Sequence, residues 1–219
     1  RNNNIEYAEG MVLRFKFPLE GVSRFEDLIL GDIAINNKEF DDFIILRSDG
    51  SPTYNFSAAV DDMDMDITTV IRGDDHITNT LKQINVLDAL GATIPNYAHL
   101  PMVLAESGKR LSKRDGAEDI LDYKRKGYLN DALINYLVRL GWSHGEEEIF
   151  SIDKLQEIFN LSDVNSSPSK YSQDLLDWYN NKYLNFLTPE ELIVKLKENS
   201  EVDFSPVSYT HLTLPTNGC

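Results

Sequence analysis

Apolar and polar residues alternate along Met11-Val12-Leu13-Arg14-Phe15-Lys16-Phe17 up to Pro18, a period of two that predicts a strand. Asp32-Ile33-Ala34-Ile35 before the Asn36-Asn37 pair, and Phe43-Ile44-Ile45-Leu46 before Asp49-Gly50, predict two more. The start of the chain therefore reads as hairpins or a small antiparallel sheet. From Ser51 to about Leu104 the period changes. Val70-Ile71 predicts a short strand, Asp74 and Asp75 are N-cap candidates, and Ile77 to Leu90 predicts a helix with Gly91 just beyond its end. Leu100 to Leu104 reads as a buried strand. Strand alternating with helix predicts an α/β fold with a parallel sheet.

After Gly116 the pattern is helical. Asn130 is placed to cap Asp131 to Leu140, whose Leu133, Leu137 and Leu140 share a face, with Gly141 ending it. Ser151 precedes a segment with Leu155, Ile158 and Phe159; Ser172 precedes one with Leu175, Leu176 and Tyr179. Thr188-Pro189-Glu190-Glu191 combines a capping box with a first-turn proline ahead of Leu192 to Leu196. A domain boundary is expected near Gly116, giving an α/β part over 1–116 and a helical part over 117–204. Residues 205–219, rich in Ser, Thr and Pro, have neither period and are expected to be a disordered or non-native tail.

Composition narrows the function classes. The chain has 219 residues, 42% of them hydrophobic, enough for a real core, and no run nears the roughly 20 apolar residues of a bilayer span. The start has no signal-peptide pattern, so a cytoplasmic protein without a membrane partner is expected. Cys219 is the only cysteine and the four histidines have no ligand spacing, so structural zinc is not expected. The run Asp61, Asp62, Asp64, Asp66 resembles the start of a calcium loop, but the required Gly falls on Ile67 and the required Glu on Gly73. A solvated acidic turn is the simpler reading, and no metal site is assigned.

Against a net charge of −15, the loop Gly108-Lys109-Arg110-Leu111-Ser112-Lys113-Arg114-Asp115-Gly116 gathers four cations between two glycines. That suits an anion, phosphate above all. It is not a P-loop, because Val103 stands where the first glycine belongs and Arg110 where Ser or Thr belongs. A second basic run is Lys124-Arg125-Lys126. An acidic chain with local basic patches excludes indiscriminate nucleic-acid binding and leaves room for a local RNA site.

Three further runs accompany the loop: Leu46-Arg47-Ser48-Asp49-Gly50-Ser51-Pro52-Thr53-Tyr54-Asn55-Phe56, Val60-Asp61-Asp62, and Val70-Ile71-Arg72-Gly73-Asp74-Asp75-His76-Ile77-Thr78-Asn79-Thr80. With Arg110 to Arg114 matching the K-L-S-K-R signature except that Arg110 replaces its first lysine, the chain resembles bacterial-type glutamyl-tRNA synthetases of class I. Gly141-Trp142-Ser143 and Ser167-Pro168-Ser169-Lys170 extend the likeness, which covers roughly Ile5 to Leu187. The resemblance implies the C-terminal part of a Rossmann-like catalytic domain followed by an all-helical stem-contact region and the start of an anticodon-binding region. It implies ATP as a substrate, Mg²⁺ with the ATP, L-glutamate and tRNA(Glu) as partners, a monomer, and reaction through a glutamyl-adenylate.

Residue by residue, the resemblance implies that Lys113 handles the ATP phosphates, with Arg110 supplying the charge of the missing lysine and Ser112 a hydroxyl. Tyr54 and Arg72 are implied for the glutamate pocket, and Asp75 and His76 for ATP. A guanidinium at a strand end is chemically suited to a carboxylate, which it meets with two parallel hydrogen bonds. A structural pair of Arg72 with Asp74 or Asp75 is the alternative. Ala58 departs from members that place a polar group there.

An H-x-G-H motif, the family's other ATP signature, is not found in the sequence, so the chain is expected to be a fragment of a longer enzyme. Two rival readings are a noncatalytic RNA-binding module derived from a synthetase, and a related enzyme that charges a queuosine base with glutamate. Helices continuing well past the loop speak against the latter. The expectation is tested directly: the purified 219-residue chain should catalyse no detectable glutamate-dependent ATP–pyrophosphate exchange. Robust exchange would overturn it.

Overall fold

The computed structural model describes residues 6–111 and 119–199. The chain forms two compact units: residues up to Met102 together with Phe159–Ser169, and Val103–Ile158 together with residues from Lys170 onward.

The first unit is built on a four-stranded sheet of β2 (Val22–Asp27), β3 (Gly31–Asn36), β5 (Thr69–Gly73) and β6 (Asn96–Leu100), in the order β3-β2-β6-β5. β2 and β3 form an antiparallel hairpin turning at Gly31, whose φ of +77° favours glycine. β6 runs parallel to both β2 and β5. The α/β class and parallel pairing expected from the alternation of elements are therefore present. A smaller antiparallel pair joins β1 (Leu13–Arg14) to β4 (Ile44–Leu46).

Two helices follow. Helix α1 spans Tyr54–Asp64 and α2 spans Ile77–Leu90, with α2 lying against β2, and α1 against α2 and β4. Ala59 of the first meets Val86 and Leu87 of the second, with Phe15, Phe43, Phe56 and Met63 packed around them. Gly91 closes α2 at φ +69°, with its N–H donating back to Asp88 and Leu87, as its position in the sequence predicts.

Three local expectations are corrected. The strand at 11–17 shrinks to Leu13–Arg14. The buried strand is not Leu100–Leu104 but Asn96–Leu100, with Tyr97, Ala98 and His99 buried; Val103–Leu104 is only a short edge piece, β7. Asp74 and Asp75 do not cap α2: they lie inside a 3₁₀ turn, Asp74–His76, capped by Gly73. The N-cap of α2 is His76, whose side chain makes no capping bond.

The second unit holds α3 (Ile120–Arg125), α4 (Asn130–Gly141), α5 (Ile152–Ile158), α6 (Gln173–Leu184) and α7 (Pro189–Asn199). Ser151 and Ser172 cap α5 and α6 by accepting from Lys154 N at 3.2 Å and Leu175 N at 3.3 Å. The capping box of α7 forms in both directions, Thr188 N–H to Glu191 at 2.8 Å and Glu191 N–H to Thr188 at 3.2 Å. Asn130 is the first residue of α4 rather than its cap, which is Leu129. The buried face of α4 is Ala132, Leu133, Asn135 and Tyr136, while Leu137 stays 49% exposed, so the leucine stripe expected there is tilted toward the aromatic side. Leu133 and Tyr136 pack with Tyr123, Leu176 and Tyr179 into the core of this unit. The tail at 205–219 lies outside the described residues.

Asn135, fully buried, ties this unit together: its amide donates to Glu148 O at 2.9 Å, and its oxygen accepts from Phe150 N at 2.7 Å and Tyr183 Oη at 2.8 Å. Replacing Asn135 by Ala strands a buried N–H and a carbonyl, each costing about 1–3 kcal/mol, so Asn135→Ala should lose about 2–5 kcal/mol in a denaturant titration. A loss below half a kcal/mol would show that the network does not hold the unit.

Candidate functional site

Arg72 is the fourth residue of β5. The side chain is half-buried and its guanidinium is held at three points. Nη2 donates to Thr80 Oγ1 at 2.5 Å and to Gln83 Oε1 at 2.8 Å, both on α2, while Nε donates to His99 Nε2 at 3.4 Å on β6. The cation lies over the Tyr97 ring, 5.8 Å from its centroid. Among the described residues, Nη1 has one contact, a long 3.5 Å approach to Tyr54 Oη. Nε and both Nη2 protons are engaged by protein, so the open edge of Arg72 is Nη1, beside a tyrosine that is 51% exposed. The structural partners of Arg72 are thus Thr80, Gln83 and His99 rather than Asp74 or Asp75.

Tyr54 is the first residue of α1, and its hydroxyl also lies 3.3 Å from His76 Nδ1, with the two rings edge to face. His76 Nδ1 is 3.3 Å from Asn79 Nδ2 as well. Tyr54, Arg72 and His76 therefore converge on one spot at the C-terminal end of β5. Asp75 sits in the same turn, exposed, and its Oδ1 would be 2.8 Å from a Cβ placed on Gly73. That approach is one physical reason for a glycine between Arg72 and the acidic pair.

Behind this cluster lies a buried pair. Asp27, at the end of β2, directs Oδ2 to His99 Nδ1 at 2.6 Å, both side chains fully buried. Its Oδ1 accepts from Leu30 N at 2.9 Å, Ile29 N at 3.0 Å and His99 N at 3.2 Å. Burial alone would raise the Asp27 carboxyl, but the hydrogen bonds from His99 and the three backbone N–H groups outweigh it and hold the group below its ordinary value. Burial pushes the Tyr97 phenol up to about 12, and its hydroxyl has no hydrogen-bond partner among the described residues. Asp62, on the last turn of α1, is also raised by burial, with Arg72 opposing and Asp61 adding to the shift. Among the described residues, no three His, Cys, Asp or Glu side chains form a group able to hold a metal.

Arg110 belongs to the second unit. The chain turns back at Gly108, φ +78°, and the base is fixed by Ala105 N–H to Lys109 O at 2.7 Å and Leu111 N–H to Val103 O at 3.1 Å, with Arg110 paired against Leu104. Lys109 and Arg110 are exposed. Ser112 and Lys113 lie outside the described residues.

Asp27, Thr80, Gln83 and His99 were not singled out from sequence. Asp27 and His99 are 72 positions apart and carry no local motif. A faint signal was present: a histidine in the middle of an apolar stretch, Tyr97-Ala98-His99-Leu100, needs a partner when buried.

Comparison with known proteins is consistent with this geometry. Residues 2–178 match the family described as tRNA synthetases class I (E and Q), catalytic domain, and the chain belongs to that family. It is 54% identical over 186 residues to a glutamate–tRNA ligase of Nitrosospira multiformis, covering 85% of this chain and 40% of that protein. It is 57% identical over 173 residues to one of Nitrosomonas eutropha, covering 79% of this chain and 37% of that protein. The chain thus spans about two fifths of the length of the curated relatives it matches. A crystal structure of a glutamate tRNA ligase from Elizabethkingia meningosepticum in complex with its amino acid superposes with a TM-score of 0.79 at 33% identity, over 90% of this chain and 43% of that one.

The depressed carboxyl of Asp27 has a pH consequence. Its contribution to stability is complete above the ordinary value of 3.8 and is lost as pH falls through the lower folded value. The stability difference between wild type and Asp27→Asn should therefore shrink as denaturant titrations are taken below about pH 4. A difference that stays constant down to pH 2 would show that the charge contributes nothing.

Proposed function

We propose that this chain is part of an ATP-dependent enzyme that joins L-glutamate to tRNA(Glu) through a glutamyl-adenylate. The observation that carries the reading is the open Nη1 edge of Arg72, set beside Tyr54 and His76 at a strand end, in a chain more than half identical to glutamate–tRNA ligases. A carboxylate docked there meets a fixed cation and a phenol. An amino acid without a side-chain carboxylate leaves one charge of the site unmatched, which is a basis for selection.

In the first step the α-carboxylate of glutamate attacks the α-phosphate of ATP, and pyrophosphate leaves. Charge grows on the phosphate oxygens, and cations that follow them lower the barrier. Lys113 is assigned to those phosphates, with Arg110 replacing the charge of the family's first lysine and Ser112 offering a hydroxyl. Asp75 and His76, in the 3₁₀ turn after β5, are assigned to ATP. Mg²⁺ accompanies the nucleotide, tRNA accepts the acyl group, and the setting is the cytoplasm of a cell with a monomeric enzyme. Among the described residues, no helix is long and apolar enough to cross a membrane.

On this reading Arg72 acts through a single free edge. Three of its donors hold Thr80, Gln83 and His99, so it offers a carboxylate one edge rather than the full two-pronged fork. In the complete ligase carrying this chain, Arg72→Ala should lower kcat/KM for glutamate by a hundredfold or more, since leaving a charge unpaired in a partly dry site costs on the order of 3–5 kcal/mol. Arg72→Lys should recover only part of this, because an ammonium cannot span the three internal partners and the substrate together. Glutamate-dependent exchange kinetics, with a thermal melt as control, decide the matter. Near-normal constants in both folded variants would make Arg72 a structural residue.

A further inference from the structure

We propose that Asp27 is a positioning residue for Arg72, acting through the tautomer of His99; this rests on the reading of Arg72 as a ligand of the substrate carboxylate. Oδ1 of Asp27 is taken up by three backbone N–H groups, so Oδ2 is the atom that meets His99 Nδ1 at 2.6 Å. An ionised carboxylate only accepts, so Nδ1 carries a proton, and in the neutral imidazole Nε2 then keeps its lone pair. The Nε–H of Arg72 is aimed at that lone pair from 3.4 Å; Thr80 Oγ1 lies 2.9 Å from the same nitrogen, while its hydroxyl also has the His76 carbonyl within reach at 3.2 Å. A proton on Nε2 would instead face the Arg72 N–H directly.

Asp27 lies on β2, His99 on β6 and Arg72 on β5, three strands adjacent in the sheet, so the relay crosses the sheet at the level of the site. Nε is the inner end of the guanidinium. With Nε tied to His99 and Nη2 to α2, the plane of the group is fixed and Nη1 points to Tyr54. Untying Nε frees that plane to tilt.

Asparagine in place of Asp27 tests the relay. Its oxygen keeps the backbone N–H groups, its NH₂ turns to Nδ1, and the imidazole proton is driven to Nε2, where it opposes Arg72. The shape of the side chain is unchanged. Glutamine in place of His99 separates the two links: its amide oxygen supplies an acceptor near the position of Nε2, while the connection to Asp27 is gone.

The measurement is exchange kinetics on the complete ligase for wild type, Asp27→Asn, His99→Gln and the double variant. A displaced catalytic contact costs about ten- to a hundredfold, and Asp27→Asn should raise KM for glutamate by about tenfold or more with KM for ATP unmoved. Added to His99→Gln, it should change nothing further. Nitrogen-15 NMR of the 219-residue chain should find the imidazole proton on Nδ1 in wild type and on Nε2 in Asp27→Asn. An unchanged tautomer, equal rises in both KM values, or the same penalty in the His99→Gln background would overturn the proposal. If Asp27→Asn does not fold, His99→Leu against His99→Gln carries the same test: the leucine variant should show the higher glutamate KM, and equal values would overturn it. Wild-type exchange that ignores glutamate would sink the functional reading and the proposal with it. Glutamate dependence with an unmoved KM in folded Asp27→Asn would sink the positioning role alone.

Discussion

A carboxylate buried in the sheet is the constraint around which the first unit is arranged. Removing an ionised group from water costs several kcal/mol unless its lone pairs are used. Asp27 uses them on four donors, three backbone N–H groups and one imidazole. The placement matters because β2 and β6 share a single registered pair, Asp27 opposite Tyr97, reinforced by Leu28 N–H to Tyr97 O at 2.9 Å. The antiparallel hairpin is thus joined to the parallel pair at one point, and the side chain at that point does much of the joining. Phe25 adds an apolar contribution, its ring edge-on to both Tyr97 and His99.

The same arrangement distributes charge toward the site. Asp27 is negative, Arg72 positive, and His99 lies between them with one nitrogen on each. Neither charge is left alone in the low-dielectric interior, although they do not touch. The Tyr97 ring supports the guanidinium from its face, and its buried hydroxyl has no hydrogen-bond partner among the described residues.

How much of this the sequence disclosed depended on whether the signal was local. Helix α2 with its Gly91 stop, the caps at Ser151 and Ser172, and the box at Thr188 and Glu191 were all legible, because each is decided within a few residues. Arg72, Tyr54 and His76 were legible through motif resemblance, and their convergence follows from where β5 and α1 lie. Helix α1 was not read as a helix, since Tyr54-Asn55-Phe56-Ser57 lacks a cap bond or a clear apolar stripe; its packing against α2 stabilises it. Strand β2, Val22-Ser23-Arg24-Phe25-Glu26-Asp27, hides behind four polar residues, and its register is set by β3. The Asp27–His99 pair is a tertiary fact that no spacing rule encodes.

If the hairpin at Gly108 takes a phosphate, as proposed, the charge balance of the chain bears on how that anion reaches it. A net charge of −15 repels polyanions, yet that field is screened over about 10 Å at ordinary ionic strength. Lys109 and Arg110 project from a backbone fixed at both sides of the turn, Ala105 to Lys109 and Val103 to Leu111, so their attraction acts at short range from a set position. An anion that fits the hairpin closely gains from these cations, whereas one passing at a distance meets mainly the acidic surface. On that proposal, acidity elsewhere would sharpen the selectivity of a small basic loop, because it weakens every loose encounter without weakening the close one.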